Sequence, residues 1–107
     1  MAGIPAERIL VDPGIGFRVQ GDAAWHLLPR VRSLRGVGAG VLVGHSRKRF
    51  LGALVGESRA DQRDVATATL SAILALEGVD VVRVHNPRAT RQAVLVAQQW
   101  RRFGGGH

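Results

Sequence analysis

The chain has 107 residues, 46% of them hydrophobic, with 15 lysines and arginines against 8 acidic residues, a formal net charge of +7 and no cysteine. That length supports one modest core and about three strand–helix units. The missing cysteines exclude disulfide frameworks and thiolate metal sites, and no run of 18 apolar residues is present to cross a membrane.

The opening residues lack the basic region and apolar stretch of a secretory leader, so a cytoplasmic location is the expectation. Gly3-Ile4-Pro5 has the form of a helix end, a left-handed glycine with proline just beyond, and reads either as an ordinary loop or as a junction inside a larger protein. Ile9-Leu10-Val11 is a short apolar run that stops at Asp12-Pro13-Gly14-Ile15-Gly16-Phe17. Asp22 is expected to cap a helix in which Trp25, Leu28, Val31 and Leu34 recur at helical spacing, with Pro29 kinking it or delaying its start. Val41-Leu42-Val43 is the second apolar run. Ser46 then caps a short helix with Phe50, Leu51, Leu54 and Val55 on its apolar face, and residues 56–63 read as loop. A longer helix from about Asp64 carries Val65, Thr69, Ala72, Ile73 and Leu76 on one side and ends at Gly78. Residues 79–84 form the third strand. Asn86 caps the last helix with Pro87 at its first position, Val94, Ala97 and Trp100 run down it, and residues 104–107 are a flexible tail.

Runs that are apolar throughout, rather than alternating, belong to parallel strands covered on both faces. Strand–helix alternation with right-handed crossovers makes this an α/β chain. The arginines are dispersed, only Arg47-Lys48-Arg49 clusters, and tyrosine is absent, so the stacking-and-charge stripe of a nucleic-acid-binding module is missing. Such a module remains a distant alternative, and no nucleic-acid or membrane partner is expected.

Polar groups gather where strands stop. Asp12, followed by Pro13-Gly14 and Gly16, could accept hydrogen bonds from a ring N–H and an amino group, though by itself it reads better as a turn residue before proline. Ser46-Arg47-Lys48-Arg49 sits at a strand-to-helix junction whose free amides attract anions; three adjacent cations could also be solvated surface. His45 shares that turn. Arg83 and His85, two apart, point to one face, and a buried strand rarely holds both unless an anion sits there; a capped strand end with a solvated arginine is the plainer alternative. Arginine offers a planar fork to phosphate and histidine one further donor.

Three motifs in order, Asp12-Pro13-Gly14-Ile15-Gly16-Phe17, Val43-Gly44-His45-Ser46-Arg47-Lys48-Arg49-Phe50-Leu51-Gly52 and Arg83-Val84-His85-Asn86, resemble the C-terminal part of the dihydropteroate synthases, a pterin-binding family. Arg63-Asp64-Val65-Ala66-Thr67-Ala68 resembles the helix before that family's last strand. The resemblance implies a partial (β/α)8 TIM barrel over residues 1–103, with about three C-terminal strand–helix units and the site at the strand ends. It implies condensation of a dihydropterin methyl diphosphate with p-aminobenzoate, releasing pyrophosphate for folate biosynthesis. By the same resemblance, Asp12 and Lys48 hold the pterin, and Arg83 and His85 the leaving diphosphate. Phe17 packs on p-aminobenzoate, while Ser46, Arg47 and Arg49 border its carboxylate. Lys48, Arg83 and His85 are the expected catalytic groups.

Magnesium is implied as a cofactor, with no metal ligand in this chain. Arg18-Val19, Gln20-Gly21-Asp22, His45 and Asn86 depart from the family's pattern, and its first five strands have no counterpart. A complementary N-terminal chain or homo-oligomer is therefore an expected partner. An inactive remnant of such an enzyme is the alternative reading.

Overall fold

The three apolar runs pair as parallel strands in the order β1-β2-β3: Leu10–Val11 (β1), Gly40–Val43 (β2) and Val81–Val82 (β3). The computed structural model describes residues 10–11, 14, 21–36 and 40–105; Asp12 and Phe17 of the expected site, with Arg18 and Val19, lie outside them. Leu10 and Val11 stand beside Gly40 and Val41, and Leu42 and Val43 beside Val81 and Val82. The ladder continues one residue further, where the Arg83 N–H donates to the Val43 carbonyl at 3.1 Å. Burial on both faces, expected from the apolar runs, is met on one. Val43 is fully buried under the helices, whereas Val81 is 39% exposed.

Between β1 and β2 the chain forms α1, Asp22–Leu27. Its N-cap is Gly21, with no side-chain cap bond, so Asp22 is not the cap but the first helical residue, where its charge meets the positive helix end. Beyond Leu27 the chain tightens into a 3-10 helix, Leu28–Gly36. Pro29 lies in that stretch, and its ring cannot serve an interior α-helical turn. Ala24, Leu28 and Val31 are buried, and the Trp25 ring meets Phe50 edge-on at 5.2 Å.

The second helix, α2, spans Arg49–Val55. Lys48 is its N-cap residue and makes no side-chain cap bond; Ser46, expected to cap, is turned elsewhere. Phe50 and Leu51 enter the core, but Leu54 is 67% and Val55 47% exposed, because a helix of two turns buries only one stripe.

The third helix, α3, spans Asp64–Leu76 and buries Thr67, Ala68, Leu70, Ser71 and Leu74. The expected stripe was a different one: Val65, Thr69 and Ile73 are exposed. Thr67 and Ser71 face inward because the turn after β2 supplies their hydroxyls with donors, the Arg47 N–H for Thr67 and the buried His45 ring for Ser71. The helix closes in a Schellman motif, Gly78 N–H donating to Ala75 O (3.2 Å) and Val79 N–H to Leu74 O (3.0 Å). Gly78 takes φ 84 there, which favours glycine.

The last helix, α4, spans Pro87–Arg102 and packs along α3. Asn86 caps it as expected, its Oδ1 accepting from the Ala89 N–H at 3.1 Å. Gly104 and Gly105, placed by the sequence in a flexible tail, donate to Arg101 O and Trp100 O and close the helix; residues 106 and 107 lie outside the described ones. Among the described residues no helix is long and apolar enough to cross a membrane.

Candidate active site

Side chains alternate across the end of β2. Val43 and His45 turn toward α3; Gly44 and Ser46 turn the other way, toward Arg83 and His85 at the end of β3. Gly44, Ser46, Lys48, Arg83, Val84 and His85 thereby line one cavity of about 480 Å³ at the C-terminal ends of both strands. Four expected site residues, Ser46, Lys48, Arg83 and His85, are brought together there. A second cavity of about 590 Å³ lies beside it, with Arg47, Lys48, Arg49, Phe50 and Arg63 in its wall. Lys48 borders both.

Ser46 is buried and accepts a hydrogen bond from the His85 backbone N–H at 3.0 Å. Its Oγ also lies 2.7 Å from His85 Nδ1. The backbone amide occupies one Ser46 lone pair; with the hydroxyl proton turned to Nδ1 the ring proton sits on Nε2, and with Nδ1 protonated the ring donates to the second lone pair. Arg83 crosses over Gly44: a Cβ at Gly44 would lie 2.5 Å from an Arg83 terminal nitrogen. No carboxylate among the described residues pairs with Arg83.

Arg47 behaves differently from its neighbours. It adopts φ 57, an uncommon conformation for a side chain-bearing residue. Three contacts hold it there. Its N–H donates to Thr67 Oγ1 (3.0 Å), its carbonyl accepts from Arg63 Nη1 (2.9 Å), and its guanidinium forks onto Asp64 at 2.8 and 3.1 Å. The Arg47 hydrogen bond, helped by the Asn86 amide at 3.3 Å, holds the Asp64 carboxyl below the usual carboxylate range. Arg63 is itself buried, its guanidinium donating to the carbonyls of Glu57 (3.0 Å), Ser58 (2.7 Å) and Arg47.

On the far side of β2, His45 is fully buried. Ser71 Oγ donates to Thr67 O at 2.7 Å, so His45 Nε2–H donates to Ser71 Oγ at 2.8 Å and Nδ1 carries a lone pair without a partner. Burial pushes the pKa of this imidazole down, against the Thr67 carbonyl contact.

Arg63, Asp64, Thr67 and Ser71 are the residues that sequence reasoning did not assign to the site. Their contacts span 16 to 26 positions, which no local spacing reveals. The adjacent Arg63 and Asp64 at a helix start were the only available signal. For magnesium, the donor set does not fit: the cavity offers lysine, arginine, histidine and a hydroxyl, and the described residues hold no cluster of three metal-ligating side chains. Its chemistry suits an anion.

Residues 1–85 match the family described as pterin binding enzyme. The chain is 43% identical over 100 residues to a probable bifunctional folylpolyglutamate synthase/dihydropteroate synthase of Halobacterium salinarum, covering 94% of this chain and 12% of that protein. It is 40% identical over 108 residues to the dihydropteroate synthase of Mycobacterium leprae, covering 96% of this chain and 38% of that one. Among solved structures, dihydropteroate synthase from Xanthomonas albilineans in complex with 7,8-dihydropteroate superposes with a TM-score of 0.87 at 35% identity, over 92% of this chain and 38% of that chain. The chain therefore spans well under half the length of these relatives. With the family match over most of its length and the strand-end motifs in their expected order, this chain belongs to the pterin-binding enzymes.

Proposed function

We propose that this chain supplies the diphosphate-facing part of a dihydropteroate synthase site, built on three strand–helix units of a (β/α)8 barrel. The observation that carries the reading is the cavity shared by Ser46, Lys48, Arg83 and His85 at the ends of β2 and β3. In the proposed reaction the p-aminobenzoate amine attacks the pterin methylene carbon, the carbon–oxygen bond to diphosphate breaks with its electron pair going to the leaving oxygen, pyrophosphate leaves, and the amine gives up one proton to solvent. Negative charge builds on the departing oxygens, and preorganised cations stabilise it. Arg83 offers its fork, His85 its Nε2–H, and Lys48 bridges toward the pterin. Asp12 completes the pterin contact and Phe17 the p-aminobenzoate wall, as the family resemblance implies.

Ser46 is assigned a different part from the one the resemblance gives it. Its hydroxyl is engaged by His85, so it orients that ring rather than meeting p-aminobenzoate. Arg47 is likewise engaged by Asp64, which leaves Arg49, exposed beside Lys48, as the cation nearest in kind to a carboxylate site. Magnesium, implied by the family resemblance, would be held by residues that come with the further strands and not by this chain. The open sheet face at Val81 supports a need for further strands, from a longer chain or a partner, before turnover.

Calorimetric titration of the chain with pyrophosphate tests the reading. Salt-sensitive binding that is lost in Arg83→Ala is expected, with no dihydropteroate formed when the chain alone receives both substrates and magnesium. Absence of pyrophosphate binding overturns the site assignment. Reproducible turnover by a monodisperse chain overturns the need for further strands.

A further inference from the structure

We infer that Asp64 is a positioning residue that ties the Lys48 turn after β2 to the His85 turn after β3, setting the spacing of these two groups across the cavity. The inference rests on the proposed reading of that cavity as a diphosphate site.

Asp64 opens α3 and lines neither strand-end cavity. Its carboxylate accepts from Arg47 Nε and Nη2 and from Asn86 Nδ2, with Oδ2 shared between Arg47 and Asn86. Arg47 stands between Ser46 and Lys48; Asn86 directly follows His85. One carboxylate thus touches the residue beside each proposed ligand-binding group, from behind the site. On the cavity side the corresponding link is Ser46 to His85. Removing Asp64 leaves the backbone of the Arg47 turn on Thr67 and Arg63, and leaves Asn86 capping α4 through its other side-chain atom. Each turn keeps its own anchors. What is lost is the link behind the site, which leaves Ser46 and His85 alone to set the spacing, and misplacement of binding groups by a fraction of an ångström is enough to weaken a polyanion contact.

Electrostatics alone predicts the opposite sign. Deleting a negative charge near an anion site tightens anion binding; losing a positioning strut loosens it. The full chain is titrated with pyrophosphate as wild type, as Asp64→Ala and as Asp61→Ala, which removes the same charge from an exposed residue paired with Arg59. Amide exchange is followed without ligand. The expected result is about tenfold weaker pyrophosphate binding in Asp64→Ala and none of that loss in Asp61→Ala. Faster exchange is expected at the His85 N–H, with α3 amides at Leu70 and Leu74 unchanged. Equal or tighter binding by Asp64→Ala, or unchanged His85 exchange, overturns the inference. If Asp64→Ala does not fold, Asp64→Asn, which keeps one acceptor for Arg47, decides by the same two readings with a two- to threefold loss expected. A wild-type chain that binds no pyrophosphate defeats the functional reading, and the exchange measurement then decides the role of Asp64 alone.

Discussion

The ends of β2 and β3 carry similar residues and are held in different ways. The β2 end is anchored to α3 from several directions: His45 to Ser71, the Arg47 backbone to Thr67 and Arg63, the Arg47 side chain to Asp64. The β3 end leans on the β2 end instead, His85 on Ser46 and Arg83 across Gly44, with Asn86 reaching back to Asp64. Arg47, the one non-glycine residue at positive φ among the described residues, lies in the heavily anchored turn, where the surroundings can hold it. Arg83, which no described carboxylate pairs, lies in the lightly anchored one. Cations stand at both ends, Lys48 and Arg49 after β2 and Arg83 at β3, while the anchoring is concentrated behind β2; a preorganised anion site requires both charge and rigidity.

Cutting the anchor that serves three carbonyls is the most damaging change. Arg63→Ala leaves those part-buried carbonyls without their donor, and at the low end of roughly 1–3 kcal/mol for each unsatisfied group the expected loss is about 3 kcal/mol in urea denaturation. A loss under 1 kcal/mol would show that water replaces the guanidinium, and that the β2 turn is not held from beneath. At the other end, Arg83→Ala in a complete barrel is expected to lower transition-state stabilisation by roughly 2–4 kcal/mol with the fold intact, read as kcat/KM beside a denaturation curve. Near-normal turnover removes Arg83 from the leaving group.

His45 sharpens the comparison through pH. Burial depresses its folded pKa, so its contribution to stability is complete above the unfolded value near 6.5 and declines as pH falls below it, by at most about 1.4 kcal/mol per pH unit. His45→Gln is expected to flatten that decline between pH 7.5 and 5.5. Asp64, held low by Arg47, loses its contribution only as pH falls through the carboxylate range, so the two effects occupy separate windows. An unchanged slope in His45→Gln would assign the decline to another group. The smallest stability effect belongs to Gly44→Ala. Its Cβ meets the end of a flexible, exposed side chain, so the expected change is under about 1 kcal/mol, accompanied by displacement of Arg83 and weaker pyrophosphate binding. Unaltered affinity would mean that Arg83 reaches the ligand by another path.

Much of this was legible beforehand, and the errors have a common origin. Asn86 and Pro87 announced α4 because capping is a local matter of one side chain and three amides. Ser46 was misread by the same rule: its hydroxyl found His85, 39 positions away, in place of the adjacent helix. The α3 stripe differs because periodicity counts apolar residues, and Thr67 and Ser71 are buried for hydroxyls that meet the Arg47 N–H and the His45 ring. Arg47 was read as a ligand for a carboxylate, and the structure pairs it with one inside the chain, that of Asp64.

The alternation of strands and helices, the parallel pairing implied by uninterrupted apolar runs, and the residues that stand where β2 and β3 stop can all be read along the chain. These follow from backbone preference and hydropathy over a few neighbouring positions. Only the tertiary structure decided which of those polar residues face the cavity and which hold the others in place. That division depends on the crossover that lays α3 behind the strand ends, bringing Arg63, Asp64, Thr67 and Ser71 within hydrogen-bond distance of residues far away in the chain.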